Sequence, residues 1–185
     1  IDPRDSNVVY VTSQGPLWSS GGDRGVYKTT DGGKTWTAIL TVGPDTGANE
    51  LMIDPHNPDV LYASMWQRRR ATGQFVGGGP ESGIFKSTNA GKTWTKLTAG
   101  LPKGDMGRIN LGVDGRVKPT RVYAMIDALR QPVNEAGFYR SDDAGATWAR
   151  VGKRVGGGRG GAPVADEDDQ EPQPQEGPEG PAGDA

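Results

Sequence analysis

Short runs of alternating apolar and polar residues recur along the chain up to residue 151, and they predict β-strands. The middle section shows them most clearly, at Leu51–Ile53, Val60–Met65, Gly83–Ser87 and Thr93–Leu97. Turn residues separate these runs, with Asp-Pro-His-Asn-Pro after the first and Asn-Ala-Gly after the third. The pattern predicts a unit of four short antiparallel strands. No segment has a sustained helical period.

Similar runs lie on both sides of this unit. They predict an all-β chain made of three such units, at about residues 1–48, 49–107 and 108–151. The flanking strands are expected at Val8–Thr12, Gly25–Thr29, Thr35–Leu40, Arg108–Val113, Arg121–Ile126, Gly137–Ser141 and Thr147–Val151.

One turn motif stands before the last strand of every unit. Its copies read Thr-Thr-Asp-Gly-Gly-Lys-Thr-Trp, Ser-Thr-Asn-Ala-Gly-Lys-Thr-Trp and Ser-Asp-Asp-Ala-Gly-Ala-Thr-Trp, ending at Trp36, Trp94 and Trp148. The interval between successive tryptophans is nearly constant. A four-stranded unit repeated at this interval is typical of a β-propeller blade.

Each residue type in the motif has a physical reason. An Asp or Asn side chain accepts hydrogen bonds from backbone N–H groups of its own loop. A glycine adopts positive φ without steric cost, and a tryptophan buries roughly 150–250 Å². The motif therefore predicts a structural corner in each blade. Its residues are Asp31, Gly33, Trp36, Asn89, Gly91, Trp94, Asp143, Gly145 and Trp148.

On these residues the chain resembles the Asp-box, or bacterial neuraminidase repeat (BNR), β-propeller proteins. It looks most like their sortilin-like and sialidase-like bacterial group, which shares the Asp-Pro-x-Asn-Pro turn, the Gly-Ile-Phe-Lys-Ser-Thr strand and the box. The resemblance implies a partial propeller of about three four-stranded blades, with the remaining blades of a full-length propeller as partners. It also implies an extracytoplasmic location, either secreted or periplasmic.

The family that the chain resembles includes sialidases, xyloglucan-cleaving glycosidases and sorting receptors. A sialidase site implies an arginine triad, a tyrosine nucleophile and acidic partners, and no such set can be matched here. We therefore favour a non-catalytic module that binds a protein, a peptide or a glycan. A sialidase-like or xyloglucanase-like glycoside hydrolase fragment is the alternative. No catalytic residue is assigned, and no cofactor is expected.

Ligand-binding residues are expected on the loops between the second and third strands, because ligands often bind where variable loops meet on a rigid scaffold. Tryptophan suits sugar stacking, and arginine suits carboxylates or peptides. Glu50 and Arg108 begin inner strands and are expected near the mouth of a central channel. Packing between blades, a solvated loop and an inter-blade salt bridge are the alternatives. The candidates are Trp18, Arg24, Glu50, Trp66, Arg68, Arg69, Arg70 and Arg108.

Composition narrows the remaining classes of function. The chain has no cysteine, which excludes thiolate metal sites and cysteine nucleophiles, and its one histidine, His56, lies in a turn. No metal site is therefore assigned. The part up to residue 151 is too mildly basic to suggest nucleic acid, and no apolar run is long enough for a membrane span. Residues 152–185 are rich in Gly, Pro and acidic residues and are predicted to be disordered.

Overall fold

The computed structural model describes residues 1–128 and 135–152, and its regular structure there is entirely β. No helix that could cross a membrane occurs in these two ranges. The predicted disordered tail lies outside them, except for its first residue. The strands are β1 (Val9–Ser13), β2 (Gly25–Thr29), β3 (Thr37–Leu40), β4 (Thr46–Ile53), β5 (Leu61–Gln67), β6 (Arg69–Ala71), β7 (Gln74–Val76), β8 (Gly83–Ser87), β9 (Thr95–Lys96), β10 (Met106–Asp114), β11 (Arg121–Ala128), β12 (Gly137–Ser141) and β13 (Ala149–Val151).

Three antiparallel sheets correspond to the three predicted units. Blade 1 is β1-β2-β3, blade 2 is β4-β5-β8-β9 and blade 3 is β10-β11-β12-β13. The prediction of four-stranded sheets is confirmed for blades 2 and 3, whereas blade 1 has three strands. Its opening residues instead form a turn with a bridge between Asp2 and Asp5. The hairpin β6–β7, which the sequence pattern did not predict, lies within the connection from β5 to β8.

The third strand of each blade has its predicted bounds, but the inner strands are longer than expected. β4 begins at Thr46 and β10 at Met106, before the predicted starts at Leu51 and Arg108. Both strands contain a register shift, which interrupts the alternation on which the prediction depended. Blades 2 and 3 consequently start slightly before residues 49 and 108.

The hydrophobic cores lie between neighbouring sheets. Val26 and Leu40 of blade 1 form one core with Ala63 and Met65 of blade 2. A second core joins the opposite side of blade 2 to blade 3. Burying one large aliphatic side chain contributes about 1.5–3 kcal/mol, so consecutive blades depend on each other for stability. The main members of the second core are Tyr62, Ile84, Ile109, Leu111, Val122, Ala124, Ile126, Tyr139 and Trp148.

Each Asp-box is closed by the same side-chain hydrogen bonds. In the first, the Thr29 hydroxyl donates to Asp31 Oδ1 at 2.6 Å and accepts from the Gly33 amide at 3.0 Å. The amide of Thr35 donates to the same Asp31 oxygen at 2.9 Å. The glycine has a φ of +92°, which is strained for other residues. Equivalent contacts join Ser87, Asn89, Gly91 and Thr93 in blade 2 and Ser141, Asp143, Gly145 and Thr147 in blade 3.

Asn89 fills the acidic position of the second box without disturbing it. Its Oδ1 accepts from the Thr93 amide at 2.9 Å, and its Nδ2 donates to the Thr93 hydroxyl at 2.8 Å. In the third box the Thr147 hydroxyl instead donates to the Asp143 carboxylate at 2.6 Å. This bond is the main reason that the pKa of Asp143 falls to about 2.

The three box tryptophans occupy equivalent places but differ in exposure. Trp148 is 5% exposed and Trp36 is 43% exposed, while Trp94 packs against the core between blades 1 and 2. The expectation that each tryptophan caps its own blade therefore needs correction. Each one faces the preceding blade, and among the described residues no blade precedes blade 1.

The boxes share one face of the molecule with the turns between the first and second strands, which we call the box face. Turn residues 31–33 are tied to it by the Gly32 amide, which donates to the Asn7 carbonyl at 3.1 Å. The amides of Ala90 and Ala144 make the same bond to Asp59 and Thr120. Asp54 caps the turn of blade 2 by accepting from the His56 amide at 2.8 Å, so His56 belongs to a structural turn.

Candidate functional site

The opposite face carries the longer connections, and we call it the loop face. Its described part consists mainly of residues 14–24, which join β1 to β2, and residues 68–82, which join β5 to β8. The third such connection lies largely in residues 129–134, outside the described residues. Two connections from adjacent blades therefore define the candidate site.

Arg24 organises the first connection from inside. It is 4% exposed, and its guanidinium donates to the carbonyls of Gln14 at 2.7 Å, Ser19 at 3.0 Å and Gly21 at 3.0 Å. It also donates to the carbonyl of Pro16. Burial lowers its pKa by disfavouring the charged form, and these carbonyl dipoles compensate for the lost hydration.

The expectation of Arg24 as a ligand contact therefore gives way to a positioning role. Its donors are already used by the loop that wraps around it. The wrapping is tight: a Cβ added to Gly15, which has a φ of +68°, would lie 2.3 Å from the Arg24 side chain. No pattern in the sequence distinguishes a caged arginine of this kind from a solvated one.

Two further arginines tie the hairpin of blade 2 to the loop of blade 1. Arg68 donates to Gln14 Oε1 at 2.6 Å and lies over the Trp66 ring, 4.8 Å from its centroid. Trp66 itself donates to the Gly77 carbonyl at 2.7 Å. Arg69 donates to the Ser20 hydroxyl at 2.7 Å and pairs with Asp45. Neighbouring connections are thus fixed to each other by charged hydrogen bonds.

Trp18 and the hairpin tip remain open to solvent. Trp18 is 67% exposed, and the Arg70 guanidinium lies over the exposed Phe75 ring, 5.1 Å from its centroid. The backbone amide of Arg70 donates to the carbonyl of Leu17 at 2.7 Å, which brings the hairpin beside Trp18. The loop face therefore presents a ridge of planar groups, which we call the aromatic ridge, consisting of Trp18, Arg70 and Phe75.

The two inner-strand candidates behave differently from each other. Glu50 accepts from Asn110 Nδ2 and from the Leu111 amide, both at 2.5 Å, so its carboxylate joins blade 2 to blade 3. Its expected role as a free channel group is replaced by a structural one. Arg108 is exposed, and within the described ranges its side chain makes no hydrogen bond or ion pair.

Other carboxylates on the loop face also have internal partners. Asp45 Oδ1 accepts from the Ser20 hydroxyl at 2.7 Å, and Glu81 accepts from the Thr46 hydroxyl. In residues 1–128 and 135–152, no group of three or more His, Asp or Glu side chains is placed to hold a metal ion. The arrangement suits binding by stacking and hydrogen bonding more than metal chemistry.

A separate cavity of about 350 Å³ lies between blade 2 and the segment that leads into blade 3. Lys96 enters it and donates to the carbonyl of Pro80 at 2.7 Å, and burial lowers the pKa of this lysine. Lys103 and Asp105 also line it. The sequence gives no signal for this cavity, because Lys96 continues an ordinary strand alternation.

Comparison with known proteins identifies the repeat and the fold. A family model described as the BNR/Asp-box repeat matches residues 27–38, which contain the first box. The structure of a GH74 enzyme from Niastella koreensis superposes with a TM-score of 0.51 at 20% identity, covering 81% of this chain and 20% of that one. The chain thus carries Asp-box repeats on a β-propeller fold, as the sequence predicts.

Two curated relatives align over most of the chain. One is a xyloglucanase from a Paenibacillus species, 25% identical over 78% of this chain and 17% of its own length. The other is an oligoxyloglucan-reducing end-specific xyloglucanase from Emericella nidulans, 24% identical over 82% of this chain and 23% of its own length. The chain therefore spans about a fifth of the length of the curated relatives that it matches.

Proposed function

We propose that these Asp-box blades belong to a β-propeller glycoside hydrolase that acts on xyloglucan, and that their loop face binds the polysaccharide. The observation that carries the proposal is the agreement among relatives, since three matches, covering 68–82% of this chain, are named as xyloglucanases. This favours the hydrolase over the non-catalytic module that the sequence alone suggested. A polymeric substrate also fits an extracytoplasmic protein.

The aromatic ridge gives this function a physical basis. Sugar rings have apolar faces, and exposed aromatic side chains offer apolar area with little conformational entropy to lose. Arg24, Arg68 and Arg69 hold the two supporting loops in place, so the ridge is ordered before a ligand arrives. Such preorganisation lowers the entropic cost of binding an extended chain.

The share of these blades in the reaction is binding rather than proton transfer. Glycoside hydrolysis uses two carboxyl groups on opposite sides of the scissile bond. Asp45, Glu50 and Glu81 each accept hydrogen bonds from the protein itself. We therefore assign substrate positioning to this segment, with Trp18 as its principal contact and Arg70 and Arg108 as polar ones. Three blades do not close a ring, so further blades complete the binding groove.

Affinity electrophoresis of the 185-residue chain tests the binding directly. We expect xyloglucan in a native gel to retard the chain, and Trp18→Ala to weaken this affinity about tenfold by removing one stacking surface. Phe138→Ala is the control, because it removes an exposed aromatic ring from a blade face away from the loops. Unchanged mobility in xyloglucan, or equal effects of both substitutions, would refute the binding proposal.

The catalytic part needs the longer polypeptide. Release of reducing ends from xyloglucan by the full-length protein is expected, with cellulose and a galactomannan as comparison polymers. Binding without release of reducing ends would favour the second candidate, a non-catalytic glycan-binding propeller. The hydrogen-bonded carboxylates of the loop face are the observation that keeps this candidate open.

A further inference from the structure

The contact between consecutive blades includes a repeated polar clamp. In blade 3 the carbonyl of Ala144 accepts from the Tyr62 hydroxyl at 2.9 Å and from Lys86 Nζ at 2.6 Å, both on blade 2. In blade 2 the carbonyl of Ala90 accepts from Lys28 Nζ of blade 1 at 3.2 Å. The carbonyl that follows the acidic box residue is thus held by the third strand of the preceding blade.

Blade 3 carries the donors of this clamp without an acceptor among the described residues. In blade 2 the donors Tyr62 and Lys86 are register partners on neighbouring strands, and Tyr123 and Arg140 are register partners at the same places in blade 3. Arg140 pairs with Asp142 at 2.9 Å and its side chain remains 40% exposed. The outer side of blade 3 therefore repeats the chemistry with which blades 1 and 2 hold their successors.

Apolar residues surround these donors. Met125 is 54% exposed, and the exposed Phe138 ring stacks on Tyr123 with a centroid distance of 5.5 Å. The equivalent side of blade 2 is buried against blade 3, with Ser64 and Ile84 both inaccessible to solvent. We call this surface the blade 3 outer face.

Blade 1 presents the complementary surface. Val11 is 44% exposed beside Trp36, and both line a shallow cavity of about 400 Å³ together with Tyr27. Their counterparts on blade 2, Ala63 and Trp94, pack against the preceding blade. We call this surface the blade 1 outer face.

The clamp acceptor is also present beside the blade 1 outer face. Gly32 corresponds to Ala90 and Ala144 in the box turn, and its φ of +71° is close to their shared value of +56°. Its carbonyl is therefore placed as theirs are. One chain thus carries both halves of a blade-to-blade contact, at opposite ends of its three blades.

We propose that a second copy of this chain docks head to tail, with its blade 1 outer face on the blade 3 outer face of the first copy. Arg140 and Tyr123 of one copy then donate to the Gly32 carbonyl of the other. The interface continues the two contacts already present within each chain. A symmetric pairing of two blade 3 outer faces would instead bring the two Arg140 side chains together and leave the clamp donors without a box carbonyl.

Two charge substitutions test this directionality by sedimentation velocity. Met125→Asp blocks the blade 3 outer face and Val11→Asp blocks the blade 1 outer face, and each position is already exposed in the single chain. The unmodified chain is expected to form dimers and larger species as its concentration rises. Each variant alone is expected to lose at least about tenfold in association constant, because burying an unpaired carboxylate is costly.

Mixing the two variants separates the possible geometries. Head-to-tail docking predicts that the mixture forms a one-to-one heterodimer, since each variant retains the face that the other needs. Phe75→Asp, on the hairpin of the loop face, is the control and should associate like the unmodified chain. A monomer at all concentrations, a Val11→Asp variant that still self-associates, or a mixture without heterodimer would each overturn the proposal. Circular dichroism of every variant verifies that it is folded.

Discussion

Replacing Ala144 with glycine is expected to stabilise the protein. Ala90 and Ala144 have a φ of +56°, in the left-handed region, whereas the first box has Gly32 at this place with a φ of +71°. Nature of the side chain matters little here, because it is the Ala144 carbonyl that joins blade 2. The substitution therefore relieves backbone strain and keeps the inter-blade contact.

The magnitude follows from two opposing effects. A left-handed conformation costs an L-residue roughly 1–2 kcal/mol, which glycine does not incur. Glycine also makes the unfolded chain more flexible, which lowers stability by about 0.4–1 kcal/mol. The expected net gain is about 0.5–1 kcal/mol for Ala144→Gly. Adding Ala90→Gly should give a similar further gain, because the two turns belong to different blades.

Urea unfolding followed by tryptophan fluorescence measures this gain as a shift in midpoint at constant slope. The matched control is Ala146→Gly in the same box, whose backbone does not have positive φ and which should lower stability. Gly32→Ala should lower it as well, since it introduces the strain. If Ala144→Gly destabilises the chain as much as Ala146→Gly does, the strain argument is wrong.

Three other predictions concern the blade contacts and the loops. Lys86→Met removes the 2.6 Å bond to Ala144 and should cost about 1–2 kcal/mol in urea unfolding, whereas Lys92→Met, at an exposed position, should cost almost nothing. Because the pKa of Asp143 is lowered to about 2, its contribution is complete above pH 3.8 and is lost as the pH falls through 2. The free energy of unfolding of Asp143→Asn should therefore change less than that of the unmodified chain between these values. Arg24→Gln leaves several loop carbonyls unpaired and should cost about 2–4 kcal/mol, with faster proteolysis between residues 14 and 24.

Each of these predictions has a contrary result. Equal effects of Lys86→Met and Lys92→Met would remove the inter-blade clamp as a source of stability. Parallel pH profiles for Asp143→Asn and the unmodified chain would show that the box carboxylate does not titrate with folding. A protease-resistant Arg24→Gln variant of unchanged stability would mean that the loop does not depend on its caged guanidinium.

The sequence predicted most of the fold because local chemistry determines it. Each third strand ends at a box, and Gly25 and Gly137 mark the starts of β2 and β12 with φ values of +121° and +155°. These boundaries agree with the structure. The inner strands were predicted too short, because bulges near Ala48 and Met106 break the alternation. Hairpin β6–β7 was missed since its charged residues, including Arg69 and Arg70, look like a loop.

The candidate site was less predictable because its side chains depend on distant partners. Arg24 and Arg70 look alike in sequence, yet one is caged by carbonyls and the other lies over Phe75 at the surface. Glu50 begins an inner strand as expected, but its partners are 60 and 61 residues away in blade 3. The exposure of Trp18 was equally open, since a tryptophan in a loop can pack or protrude.

Hydrogen exchange of three glycine amides tests the central structural claim most directly. The Gly33, Gly91 and Gly145 amides donate to the Thr29, Ser87 and Ser141 hydroxyls at 3.0, 2.9 and 2.7 Å. If the Asp-boxes are the corners that hold successive blades together, all three amides should exchange at least about a hundredfold more slowly than in an unfolded chain. Exchange of any of the three at the unfolded rate would contradict the account.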